Sequence, residues 1–453
     1  MKIVIAHGHI VDPSQGIDAT GNVYVEDGKI SGIVIFNAAS DNTGTSWHSG
    51  TGGINISQWD NARVVDATGL YVFPAFVDVH VHLREPGYEY KETILSGTRA
   101  GVRGGFGSLC CMPNTNPPND NETVTGFILG KANSAGYCNV FPIGSITKRL
   151  EGKELSEMGL LNKAGCVAFS DDGKPVMNSQ IMRKALEYSK VFGVPIVSHA
   201  EDAFLSDGGV MNEGHLSTTL GLRGIPAEAE VIMIKRDIEL AALTSGRIHV
   251  AHVSTSGGVK AIREAKRDGI NVTAETCPHY FNATEDAVLG YNTYAKVNPP
   301  LRNWKDVEAI KEGLADDTID CLATDHAPHH MDDKHCEFDR AAFGISGLET
   351  ALPLNLKLVD DKILSLQRLV YKMATAPSAI LKLGKGTLRA GASADITVAD
   401  LNREFIVEPE KFASHGKNTP FKGLRLRGMA VYTLVNGIIK YDEKDDDAFR
   451  TNV

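Results

Sequence analysis

Eight short apolar runs follow one another after Tyr71, each ending in polar or charged residues and each separated from the next by a stretch of helical spacing. They are FPAFVDVHVH, GGFGSLCCM, YCNVFPI, GCVAFS, GVPIVSH, GRIHVAHVS, GINVTAET and DCLATDH. Runs of this kind, alternating with helices, read as parallel strands. Eight β/α units are the number that closes a barrel. Before about residue 66 the texture is different, with short alternating strands and turn signals in KIVIAHGHIVD and NVYVEDGKISGIVIF. It returns beyond Leu383 in GTLRAGASADITVAD, EFIVEP and MAVYTLVNGIIKY. The expected fold is therefore α/β: a (β/α)8 TIM-type barrel over 67–383, with a small β-sandwich domain built from both termini, 1–66 and 384–453. The stretch from Asn37 to Asn61, rich in Gly, Ser, Thr and Asn, reads as an exposed loop inserted between two strands. The acidic end YDEKDDDAFRTNV reads as a solvated tail.

Composition narrows the partners. A chain of 453 residues with a formal net charge of -10 lacks the excess of Lys and Arg that displaces counterions from nucleic acid, so a small-molecule ligand is expected. No run approaches the roughly 20 apolar residues of a membrane span. The opening MKIVIAHGHIVDPSQG has too short an apolar stretch for a signal peptide. The seven cysteines form no C-x-x-C pair, which fits free thiols in a reducing, cytoplasmic compartment.

Asp78-Val79-His80-Val81-His82 ends the first barrel run. Residues two apart on a strand share a face, so His80 and His82 can present imidazoles to one ion. Alone, this spacing fits two hydrogen-bonded core histidines about as well. Recurrence changes the balance, because four other runs also end in ligand types: Asp171-Asp172, His199, His252 and Asp325. The C-terminal ends of barrel strands meet at the face where active sites are built, and a His and carboxylate set there has room for two divalent ions. Singly, Asp171 and Asp172 also suit a helix cap, and His199 a satisfied core position. His249 and His252 are three apart, so strand geometry turns only one inward; His252 is nearer the rim, which leaves His249 against a helix. His7, His9, His48 and His415 lie in the β-rich ends or loops. His279 and His326 fit either ligand-orienting or ordinary hydrogen-bonded roles. Arg84, two positions beyond His82, projects toward the same cavity if the strand continues, and its planar fork suits a carboxylate.

These residues carry a resemblance. DVHVHLREPGYEYKET, GGFGSLCCMPNTNPP, AFSDDGKPVM, SHAED, HVAHVST, KVNPPLR, TDHAPH and FGISGLET closely resemble the class I dihydroorotases of the amidohydrolase superfamily, and LGKGTLRAGASADITVADL and KNTPFKG extend the likeness nearly end to end. The resemblance implies reversible interconversion of N-carbamoyl-aspartate and dihydroorotate, a ring-closing step of pyrimidine biosynthesis. It implies two zinc ions, one held by His80 and His82 and the second by His199 and His252. Asp172 takes the place of the bridging carboxylate, where many relatives carry a carboxylated lysine, with Asp171 the second choice. Asp325 is implied as the catalytic carboxylate that also touches metal. Arg84, Asn114 and His329 are similar to the family's grip on the substrate carboxylate, His82 also faces the substrate, and Asn298 with the Phe343-Gly344 backbone matches positions that contact the ring. A homo-oligomer, in the simplest case a dimer, is expected.

Two positions depart from the family pattern: Ala75 stands where glycine is usual and Gly107 where a hydroxyl residue is usual. Packing adjustments alone are expected there. The rival readings are another cyclic-amide hydrolase (hydantoinase, dihydropyrimidinase or allantoinase) and an inactive dihydroorotase-like scaffold. Asp172 and Arg84 favour dihydroorotase over the first, and the full set of ligand types weighs against the second.

Overall fold

The structure, a computed structural model, describes residues 1–36, 59, 61–446 and 449, together with the backbone of 45–48. The eight apolar runs form eight parallel strands: Phe76–Val81, Phe106–Cys111, Asn139–Pro142, Phe169–Ser170, Ile196–Ser198, Ile248–Val250, Val272–Thr276 and Cys321–Leu322. The first three pair in order and so do the last five. Bridges between Gly144 and Phe169 and between Val81 and His326 join the two groups at both ends. The ring closes as a (β/α)8 barrel. Asp78 reinforces the second seam, because its buried carboxylate accepts from the Thr324 hydroxyl at 2.5 Å and the Thr324 amide at 3.2 Å.

Local chemistry starts the surrounding helices. Thr93, Asn121, Asn178, Thr255 and Asn303 each accept a first-turn amide on a side-chain oxygen, opening the helices Ile94–Arg103, Glu122–Ala135, Ser179–Ser189, Ser256–Arg267 and Trp304–Ala315. Their apolar faces pack on the outward side chains of the strands. Val81, Leu109, Phe169, Ile196 and Val250 share one core with Ile128, Leu186, Ile234, Ile262 and Ile310. This one-sided burial against helices is what leaves the opposite strand faces free for polar groups.

Both chain ends build one nine-stranded sheet. Its order runs Ile438–Asp442, Arg425–Val435, Ile396–Ile406, Tyr71–Pro74, Lys2–Asp12, Ile17–Glu26, Lys29–Phe36 and Thr45–His48, with Arg63–Asp66 also beside Lys2–Asp12. Ile3, Ile5, Val23, Ile33, Ile396, Val398 and Leu434 close it on one small core, and Val4, Tyr24, Val34 and Trp59 form a second, giving the β-sandwich. Tyr71–Pro74 belongs to this sheet although it lies beyond residue 66.

Two expectations need correction. Most of the 37–61 segment lies outside the described residues, but within it Thr45–His48 is a strand paired antiparallel to Lys29–Phe36, and Trp59 is buried edge-on to Tyr24. The acidic end does not begin as a solvated tail. Tyr441 is buried, and Asp446 takes Arg103 Nε at 2.7 Å, because the barrel offers this end an apolar slot and a cation. All seven cysteines are free, and six are buried. Among the described residues no helix is long and apolar enough to cross a membrane.

Candidate active site

The C-terminal rim of the barrel gathers four histidines around two carboxylates, all buried. His80 Nε2 lies 3.3 Å from Asp172 Oδ1 and 3.5 Å from Asp325 Oδ1. His82 Nε2 lies 3.0 Å from Asp325 Oδ1 and 3.5 Å from Asp172 Oδ2. His199 Nδ1 and His252 Nε2 each stand 3.5 Å from Asp172 Oδ1 and 2.9 Å from one another. Asp172 therefore sits between both histidine pairs, and Asp325 faces the first pair.

Outer partners set the tautomers of three of these rings. His80 Nδ1 is 2.6 Å from Glu275 Oε1, His82 Nδ1 is 2.9 Å from Asn114 Oδ1, and His199 Nε2 is 2.8 Å from Glu201 Oε2. Each acceptor takes the proton of the far nitrogen, which turns the near nitrogen's lone pair inward. Lone pairs and carboxylate oxygens so crowded repel one another unless a cation lies among them. His80 Nε2 and Asp172 Oδ1, both buried, have no hydrogen-bond partner among the described residues. Such an orphaned pair, in a set of imidazoles and carboxylates, fits divalent metal.

The field agrees. Burial alone would lower the basicity of His80, but the Asp172 and Glu275 carboxylates beside it outweigh burial and hold it well above the ordinary imidazole range. Burial likewise raises Asp172, yet His80 and the hydrogen bonds of His199 and His252 pull its carboxyl well below the usual range. Positive charge is what this cluster stabilises, and protons and metal compete for it.

Comparison with known proteins decides the family. The model of the family described as dihydro-orotase-like matches residues 69–257. The dihydroorotase of Trichlorobacter lovleyi is 52% identical over 441 residues, covering 97% of this chain and 99% of that protein. The dihydroorotase of Geotalea daltonii is 51% identical, covering 96% and 98%. The chain belongs to the dihydroorotase family. Among solved structures, the dihydropyrimidinase of Brevibacillus agri NCHU1002 superposes with a TM-score of 0.82 at 22% identity over 98% of this chain and 96% of that one, which shows the shared fold. The L-hydantoinase of Arthrobacter aurescens also gives 0.82, at 26% identity over 97% and 96%.

In this dihydroorotase-family chain the metal-type residues open onto a cavity of about 170 Å³ lined by His82, Arg84, Asn114, Asp172, Asn298, Asp325, Phe343 and Gly344, among others. Arg84 reaches it although the strand has ended at Val81, because its φ of 62° turns the chain back. Its Nε donates to Pro328 O at 3.2 Å. His329 is adjacent, with Nε2 donating to Phe343 O at 2.8 Å and Nδ1 accepting from Lys91 Nζ at 3.2 Å. Burial and the cations Arg84, Lys91 and Lys334 hold His329 well below the ordinary imidazole range. Asn114 lines the cavity, but its amide is already engaged by His82 and, at 3.4 Å, by Asp172. Asn298 donates Nδ2 to Glu201 at 2.8 Å, while its buried Oδ1 has no partner among the described residues.

Asp171 turns away from the cluster. It accepts the amides of Ile146 and Thr147 at 2.8 and 3.0 Å and the Thr147 hydroxyl, and so pins the loop that follows the third strand. His249 is not packed on a helix as expected. It points to Glu275 Oε2 at 3.0 Å and Thr273 Oγ1 at 2.8 Å. The alternation argument failed because the strand ends at Val250 and His252 takes a φ of 34°, so both rings reach the barrel interior. His279 makes no side-chain hydrogen bond to a ligand-type residue among the described residues; burial lowers it to about 4. His326 contributes through its backbone, whose carbonyl accepts from His82 N at 2.8 Å, while its ring faces Glu92.

Sequence reasoning missed Glu275, Glu201 and Asn418. Glu275 sits at the rim end of GINVTAET, in the same kind of position that flagged the other strands, and that signal was readable. Glu201 lies two residues past His199. Asn418, from the KNTPFKG string, is buried and donates to Ala327 O at 3.0 Å and Gly344 O at 2.9 Å, while its Oδ1 accepts from His329 N at 2.9 Å. No local pattern announces such a reach.

Proposed function

We propose that this protein is a cytoplasmic, zinc-dependent dihydroorotase of pyrimidine biosynthesis that interconverts N-carbamoyl-L-aspartate and L-dihydroorotate. The observation that carries the reading is the placement of Asp172 between two histidine pairs, with Arg84 opening onto the same cavity. His80 and His82, with Asp325, would hold one zinc, His199 and His252 the second, and Asp172 would bridge them. When bound, the two ions would supply acidified water and a polarised amide carbonyl.

The chain's own groups do the rest. Asp325 faces His82 at 3.0 Å on the floor of the cavity, placed to take a proton from the attacking water and return it to the departing ring nitrogen. In the synthetic direction the same carboxylate takes the proton from the ureido nitrogen as it attacks the carboxyl carbon, and gives it to the hydroxide that leaves that carbon as water. The Arg84 guanidinium takes the substrate carboxylate, with His329 holding the wall beside it. Asn298 Oδ1, orphaned in the cavity wall, suits a ring N–H. Asn114 holds His82 through Oδ1 and lines the cavity beside Arg84, where its Nδ2 would join the grip on the carboxylate. A homodimer is the assembly we propose.

Bound zinc and dihydroorotate hydrolysis, measured together before and after chelation, test the reading. Two zinc ions per chain and loss of turnover on chelation are expected. An inert, metal-free protein would overturn it, and faster turnover of a carboxylate-free hydantoin would replace it with a hydantoinase.

A further inference from the structure

Lys334 and Lys296 are long cationic side chains with almost no exposure, 1% and 2%, and among the described residues their donors go to backbone carbonyls rather than to a carboxylate. An unpaired buried cation is costly unless its donors are met. Here backbone carbonyls meet them. Lys334 Nζ donates to Thr293 O at 3.1 Å, Lys296 O at 3.1 Å and Ala342 O at 2.6 Å. Lys296 Nζ donates to Phe338 O at 2.8 Å and Asp339 O at 2.9 Å, and stands 4.5 Å from the centroid of the Phe343 ring.

The carbonyls come from two separated segments. One is 293–296, which runs into Asn298; the other is 338–342, which runs into Phe343 and Gly344. The backbone of Gly344 then donates to Lys296 O at 2.9 Å, so the two segments are tied a third time at the cavity itself. Gly344 has a φ of 147°, and a Cβ there would lie 2.5 Å from Ala327 O, so the chain at this wall has one fit. Each lysine thus acts as an internal crosslink between the two segments, added to the apolar anchorage of Phe338 and Ala341.

We propose that Lys334 and Lys296 are positioning residues for the dihydroorotase reaction, two buried ammonium groups that lock the 330–342 loop and so fix the Phe343–Gly344 peptide and Asn298 as one wall of the substrate cavity. The proposal rests on the function argued above. Neither lysine touches the reacting atoms or the candidate metal ligands. Their loss therefore acts on binding, because a loosened wall must be ordered by the substrate, and apparent affinity falls with the fraction of molecules in the competent form.

The test uses the zinc-loaded full-length enzyme and Lys334→Met, which keeps an unbranched stem and removes the three donors. Expected are a KM for dihydroorotate raised about tenfold or more, kcat within about threefold, unchanged bound zinc, and faster tryptic cleavage after Arg340. A KM within about twofold of the parent with Arg340 equally protected would overturn the proposal. So would a parallel collapse of kcat and zinc content at unchanged KM, the mark of a merely structural residue. If Lys334→Met does not fold, Lys296→Met decides on the same readouts: a raised KM supports the proposal and an unchanged one sinks it. Lack of dihydroorotate turnover in the parent protein would instead overturn the function itself, and this inference with it.

Discussion

Glu275 Oε1 lies 2.6 Å from His80 Nδ1, and the other oxygen of the same carboxylate lies 3.0 Å from His249 Nε2. One acidic side chain thereby sets the ring that faces Asp172 and is itself set by a second histidine, which leans on Thr273. A carboxylate behind a ligand histidine orients the ring and raises its basicity. Glu275→Gln keeps the shape and removes the charge. We predict that zinc affinity drops by about 10- to 100-fold, read as zinc retained after dialysis against graded chelator. Zinc retention equal to the parent's would show that Glu275 only fills space.

In the proposed reading Arg84, which lines the cavity, is the group that would take the substrate carboxylate. Arg84→Ala leaves the substrate carboxylate without its fork, a loss of about 2–5 kcal/mol for a buried charge pair. The predicted fall in kcat/KM for dihydroorotate is about a hundredfold, whereas slow turnover of an unsubstituted hydantoin stays near the parent's rate. Equal losses on the two substrates would remove Arg84 from the carboxylate site.

The adjacent aspartates are predicted to part company. Asp172→Asn should leave the protein folded but short of its full zinc complement, because Asp172 alone among the described residues reaches both histidine pairs. Asp171→Asn should keep its zinc and lower the melting temperature, since its work is to hold Ile146 and Thr147. Zinc analysis beside calorimetry distinguishes them, and a zinc deficit in the Asp171 variant would reverse the assignment.

Ala75 and Gly107 form a coupled pair. A Cβ added at Gly107 would lie 2.7 Å from the Ala75 methyl, so side chains at the two positions compete for one volume across neighbouring segments. Gly107→Ser alone should destabilise by about 1–3 kcal/mol through overpacking. Adding Ala75→Gly should recover most of that loss, and additive effects in a double-mutant cycle would show the sites to be independent.

The barrel was legible because each strand is short, apolar and followed by a helix, and because the sheet's period of two put His80 and His82 on one face. Legibility stopped where strands stopped. Arg84, His252 and Asp325 all lie past the last paired residue of their strands and take φ values of 62°, 34° and 45°, so alternation no longer says where a side chain goes. That is why alternation wrongly turns His249 toward a helix. Asp172 and Asp171 could not be told apart from spacing, since the difference lies in a loop contact made by the preceding β/α unit. The strand inside the 37–61 segment was hidden for another reason: its residues, TSWH, are too few to show a period.

Asn418 has a consequence for biogenesis. It reaches from near the end of the chain to brace His329 and Gly344, and the sheet that begins with Lys2–Asp12 is completed only by Arg425–Val435 and Ile438–Asp442. A nascent chain still threaded in the ribosome tunnel can have every one of its candidate metal ligands in the open and yet lack both the brace for its binding pocket and the strands Arg425–Val435 and Ile438–Asp442 of its scaffold. Competence is expected only once Asn418 and the strands Arg425–Val435 and Ile438–Asp442 have emerged, so products cut short before them would be silent rather than half-active.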